Sequence, residues 1–174
     1  MNTRSLILGI LLVLSPVSAT ATPWSLAADA GPMVWLLKEA PVSYAMNLSP
    51  AYALSDAFYL EGLVGIRHYS SETAFTENAA TSLPVMVGAR YAYRFAETPI
   101  SLFCGAHVGG FILVQSDLAR GETEETIRFE PAGRAFLGAD FHVVDNFSLG
   151  LNTALEVTGQ NLFLTTGLGG RIQF

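Results

Sequence analysis

The feature that most constrains this chain is an alternation with period two, repeated along most of its length in segments of about ten to thirteen residues. Residues 83–95 show it most cleanly. The odd positions are Leu83, Val85, Val87, Ala89, Tyr91, Tyr93 and Phe95, and the even ones are Pro84, Met86, Gly88, Arg90, Ala92 and Arg94. Wound as a helix, this segment would smear Arg90 and Arg94 over an apolar cylinder. As a strand it has one apolar face and one face carrying both charges. The pattern recurs at residues 44–54, 58–70, 100–114, 147–158 and 162–174, and more noisily at 24–37 and 129–143. That makes eight strands.

What the apolar face meets follows from composition. The chain has 174 residues, enough for one domain, and is 51% hydrophobic but only 14% charged, with 16 Gly. A soluble domain is nearer a quarter charged, so much of this surface faces something other than water. No internal run reaches the roughly 18 apolar residues of a spanning helix, so a membrane would be crossed by strands. The expected fold class is all-β: a closed, up-and-down, antiparallel transmembrane barrel.

Residues 1–19 read as a cleaved signal peptide, leaving a barrel over residues 20–174. Arg4 gives the positive start, Leu6 to Leu14 the short apolar core, and Val17-Ser18-Ala19 small residues for cleavage; a cut after Ala21 and an uncleaved anchor are the alternatives. Without Arg4 the basic count falls from 9 to 8 against 15 acidic residues, a net charge of −7. Such a chain lacks the clustered Lys and Arg that neutralise phosphates, which argues against nucleic acid. Cys104 is the only cysteine, so no internal disulfide forms, and it reads as a small buried hydrophobe.

The connections alternate in length. Short turns fall at residues 55–57, 96–99 and 144–146, and longer polar stretches at 71–82 and 116–128, with shorter ones near 38–42 and 159–161. A periplasmic start places every short turn and both termini on the periplasmic side, with loops outside. Trp24, Tyr52, Phe58, Tyr93, Phe95, Phe141, Phe147 and Phe174 have outward parity near the short-turn ends, as a headgroup girdle requires. Trp35 and Tyr44 would form a sparser belt at the other end.

The chain resembles the small outer-membrane barrels of the OmpA and OmpX type, on its final run Leu168-Gly169-Gly170-Arg171-Ile172-Gln173-Phe174, which alternates and stops on an aromatic. The resemblance implies residence in the bacterial outer membrane, contact with lipid and lipopolysaccharide, assembly through the barrel-assembly machinery, and a monomer without cofactor. It implies no biochemical activity.

An eight-stranded bore is filled by side chains, which argues against a diffusion porin. Parity directs Asp29, Glu61, Arg67, Arg90, Arg94, His107, Arg134, Asp140, Glu156 and Arg171 inward. Buried charges must pair or stay hydrated, and strand heights suggest a Glu61–Arg90 bridge with Asp140 and Arg171 meeting lower. The network is either a static plug or an ion gate whose pairs rearrange.

Other functional readings attach to single features. His68-Tyr69-Ser70 is similar to the His-x-Ser motif of the PagL lipid A deacylases, in which His68 would activate Ser70 with Glu72 or Glu77 orienting the ring. That motif lies nearer the C-terminus in the family, and Ser71 stands where the family has Asn. The acidic run with Glu122, Glu124, Glu125 and Glu130 could be adhesive or hold a loose cation, but matches no calcium loop. His68, His107 and His142 show no metal-ligand spacing. A soluble lipocalin-like barrel would invert the pattern, holding apolar side chains inside and polar ones outside.

Overall fold

A computed structural model describes residues 24–36, 43–73, 76–119, 122–159 and 161–174, leaving the leader and the Lys38 loop outside the described residues. Eight strands follow one another: β1 (Trp24–Trp35), β2 (Ser43–Ala53), β3 (Phe58–Thr73), β4 (Thr76–Arg94), β5 (Ile100–Ala119), β6 (Glu122–Val144), β7 (Phe147–Thr158) and β8 (Asn161–Gln173). Each pairs antiparallel with its neighbour in sequence, and β8 closes on β1 to complete the barrel. No described helix is long and apolar enough to cross a membrane, and the wall is strand throughout.

Local chemistry fixes the short turns at the end where the chain begins and finishes. Ser55 Oγ accepts the Phe58 amide at 3.2 Å, and the Leu54 amide donates to the Phe58 carbonyl at 2.8 Å. Between β4 and β5, Glu97 takes a φ of 64° and the Thr98 amide reaches back to the Phe95 carbonyl at 3.4 Å.

The register sets the tilt. A row of paired residues starting at Trp24 runs through Tyr52, Leu60, Ala89, Ala106, Ala135, Leu155 and Leu164, then returns to β1 at Val34. The offset is ten residues (34 − 24), which with ordinary strand spacing inclines the strands by roughly 40° to the barrel axis.

The two faces separate as the alternation requires. Leu149, Leu151, Val157, Val85, Val87, Leu168 and Phe129 are among some thirty large apolar side chains exposed on the wall, while Glu156, Arg67, Arg90 and His107 are buried in the bore. A continuous apolar exterior of this extent has no place in water, where patches beyond a few hundred Å² already mark interaction surfaces. Lipid is the medium that fits it. The same arrangement overturns the lipocalin-like alternative, because the charged face is the inner one.

Four expectations change. Among the described residues, 71–73, 76–82, 116–119 and 122–128 are strand rather than loop: β3–β4 pairing continues to Thr73↔Thr76, and β5–β6 pairing to Ala119↔Glu122. Polar alternation serves a hydrated ribbon as well as apolar alternation serves a buried one, so polarity alone misplaced the strand ends. Consequently β5 and β6 have 20 and 23 residues, against 12, 11, 12 and 13 for β1, β2, β7 and β8. Trp35 faces the bore rather than an outer belt, packing edge-on against Phe163 at 4.4 Å. Cys104 is exposed on the wall, where lipid takes the part of a core. Arg94 is exposed at the turn end of β4, because parity gives a face but not a depth.

Candidate functional site

Eight of the ten inward titratable residues converge in mid-bore: Glu61, Arg67, Arg90, His107, Arg134, Asp140, Glu156 and Arg171, none more than 6% exposed. They come from β3 to β8 and form two groups stacked along the bore.

The central contact spans the bore. Arg67 on β3 donates from Nε to Glu156 Oε2 at 3.1 Å and from Nη2 to Glu156 Oε1 at 2.7 Å. β3 and β7 lie on opposite sides of the barrel, four strands apart in either direction. This two-pronged bond is the strong, directional form of an arginine–carboxylate pair. The remaining Arg67 nitrogen, Nη1, donates to the Met46 and Ile66 carbonyls at 3.3 Å each. Glu156 also takes Arg134 Nε at 3.2 Å and the Thr165 hydroxyl at 3.4 Å. No charge of this pair is left without a partner.

Toward the termini a second group forms around two carboxylates. Arg90 Nε lies 3.0 Å from Glu61 Oε2, close but off the hydrogen-bond axis, and its Nη1 lies 3.9 Å from Asp140. Arg171 donates from Nε to Asp140 Oδ2 at 3.2 Å and approaches Glu61 at 3.8 Å. Both pairs expected from strand heights, Glu61–Arg90 and Asp140–Arg171, are therefore present. His107 joins the two groups, with Nε2 3.4 Å from Glu61 and Nδ1 3.5 Å from Arg134 Nη1. Beside this group Asp29 accepts the Asn47 amide at 2.8 Å, and the adjoining cavity of about 30 Å³ has room for a water or two.

Aromatic side chains fill the space between the ions. His107 stacks on Phe136 at 4.7 Å, Arg134 lies 5.0 Å from the same ring, and Arg90 sits 4.2 Å over Tyr59. Phe103 and Phe136 find room because each faces a glycine across the β5–β6 ladder, Phe103↔Gly138 and Gly105↔Phe136. A Cβ on Gly105 would stand 2.5 Å from Phe136 Cζ, so an absent side chain is what admits the ring. Parity directs both rings inward with His107 and Arg134, although a search for charged groups alone passes over them. Their signal, a Phe opposite a Gly, exists only once the register is known.

The other candidate residues do not assemble. His68 faces outward, its ring 5.3 Å from Tyr44 and its Nδ1 3.3 Å from Thr81 Oγ1. That nitrogen is the one a carboxylate would use to orient the ring. The side chains of Ser70, Glu72, Glu77, Glu122, Glu124 and Glu125 lie outside the described residues. Among the described residues, no three metal-ligating side chains come together. Trp24 and Tyr52 pack at 4.9 Å, Phe58 and Tyr91 at 4.9 Å, and Tyr93 and Phe95 at 5.1 Å, all at the termini end. Phe141 and Phe174 are exposed at that end, and Phe147 is half-buried.

No protein-family model and no curated protein sequence matches the chain. Its fold, by contrast, is similar to solved structures. Neisserial surface protein A superposes with a TM-score of 0.63 at 18% identity, over 87% of this chain and 97% of that one. Ail, the attachment invasion locus protein of Yersinia pestis, gives 0.65 at 15% identity, over 89% and 100%. The N-terminal barrel domain of Pseudomonas aeruginosa OprF gives 0.51 at 15% identity, over 86% and 97%. The chain thus has the fold of the small eight-stranded outer-membrane barrels.

Proposed function

We propose that this chain is an outer-membrane barrel with a plugged bore, acting through the hairpins that rise above its wall rather than by conducting solutes. The observation that carries this reading is the Arg67–Glu156 bond, which joins opposite walls in mid-bore. An interior of eight strands has no width to spare around it. The charged contacts stabilise one another as a unit, so opening a path means breaking several buried pairs together.

In this reading residues 1–19 are removed on export, residues 20–174 form the barrel, and assembly begins from the strand ending at Phe174. The termini and short turns lie in the periplasm, with Trp24, Tyr52, Phe58, Tyr93, Phe95, Phe141, Phe147 and Phe174 at the headgroup level. The β3–β4 and β5–β6 ribbons then stand outside the cell among lipopolysaccharide. A membrane-spanning strand needs about 9–11 residues, so β6 has roughly as many again to project. The protein works as a monomer without cofactor. A lipid hydrolase built on His68 is less well supported, because Thr81 occupies the ring nitrogen its carboxylate would need.

Three experiments test this. In planar bilayers the purified barrel should be silent; discrete openings in the wild type that vanish on Glu61→Ala would establish the gate instead. An epitope inserted between Arg120 and Gly121 should bind antibody on intact cells, and staining only after permeabilisation would reverse the orientation. On fractionation the protein should stay in the detergent-soluble envelope and change gel mobility on boiling.

A further inference from the structure

The plug does not fill the whole bore. On its hairpin side lies a cavity of about 180 Å³ whose floor is Arg67. An apolar cavity of about 150 Å³ in another protein suffices to hold benzene, so this one has room for a ring and a short chain. Its walls are aromatic and aliphatic, with Trp35, Phe111 and Phe163 joined by Met33 and Leu113.

The polar groups are few: Arg67, Ser82, Glu130, Thr158 and Asn161. Arg67 offers the chamber little, since all three of its nitrogens already donate to Glu156 or to backbone carbonyls. Glu130 on β6 lines the chamber, and among the described residues its carboxylate has one polar contact, the Thr158 hydroxyl at 2.8 Å, and no cationic partner. Asn161 on β8 turns a buried side-chain oxygen, Oδ1, without a hydrogen-bond partner. Both groups accept hydrogen bonds. Aromatic faces add negative potential around them.

We propose that this chamber binds a small organic cation, a protonated amine carrying an aromatic or short alkyl body. The ammonium would donate to Glu130 and Asn161 Oδ1, and the apolar body would lie among Trp35, Phe111 and Phe163. A neutral molecule of the same shape leaves a half-buried carboxylate without a counter-charge and the Asn161 amide oxygen unanswered, which such sites penalise. A carboxylate would meet Glu130 as a like charge. The proposal is independent of any surface role of the hairpins.

Tryptophan fluorescence gives a direct readout, because the chain holds only two tryptophans, Trp24 and Trp35, and Trp35 lines the chamber. The detergent-solubilised full barrel with Trp24→Phe is titrated with phenethylamine, phenethyl alcohol and phenylacetate at neutral pH. The amine should give a saturable change at a concentration roughly tenfold or more below that of the alcohol, as for a hydrogen bond to a charged group, and phenylacetate none. Glu130→Gln should erase the preference for the amine over the alcohol. Asn161→Asp should enlarge it, a gain that a merely disrupted barrel cannot produce. Ser82→Met, which fills the chamber, should abolish every response. Absence of a saturable signal in the parent, or phenylacetate binding as tightly as the amine, would overturn the proposal.

Discussion

The outer wall and the bore are built from the same eight strands, residue by alternate residue, yet they obey opposite rules. Leu168 on the wall is 71% exposed and needs no partner, because any lipid chain will serve; Glu156, on the inner face of β7, is fully buried and requires Arg67, Arg134 and Thr165. The wall is non-specific and forgiving of apolar exchange. The bore is specific, since each ion there is balanced by named neighbours and has no bulk water to fall back on.

Substitutions that cross these rules should rank by how many partners they strand. Glu156→Ala removes the acceptor shared by Arg67 and Arg134 and should cost about 3–5 kcal/mol, read as a lower midpoint in urea unfolding from lipid vesicles. An unchanged midpoint would mean that water replaces the carboxylate and that the bore is no stricter than the wall. Leu168→Arg places a charge on the lipid face near the middle of β8 and should cost about 2–4 kcal/mol by the same measurement. Gly105→Ala drives a methyl into the Phe136 ring and should cost about 1–3 kcal/mol, with partial recovery in a Gly105→Ala, Phe136→Leu double variant. Thr158→Val deletes one hydroxyl from Glu130 and should cost about 1 kcal/mol. Should Leu168→Arg prove harmless while Glu156→Ala is severe, the wall at β8 is not against hydrocarbon.

Much of this contrast is legible along the chain. Residues 83–95 and 147–158 declare their faces by alternation, and the short turns near Ser55 and Glu97 punctuate them. Glu61 and Arg90 sit on adjacent strands, so counting up from the two short turns that flank this strand pair is enough to bring them together. Arg67 and Glu156 lie 89 residues apart, and no local count relates their heights. The misplaced residues have two causes. Arg94 follows parity to a position where depth along the barrel decides the environment, whereas Trp35 and the polar ends of β3 to β6 are misjudged when residue type is allowed to outweigh alternation.

The side each residue faces was settled by the sequence alone, because successive side chains on a strand must point in opposite directions and a closed wall has only two sides. Which bore residues meet was decided by the closure of the barrel. A ten-residue offset between the start and the return of one hydrogen-bonded row tilts every strand, and that tilt lifts Glu156 to the level of Arg67. The chamber with Glu130 has the same origin, since a void is what remains where tilted walls carry rings too short to touch across the bore.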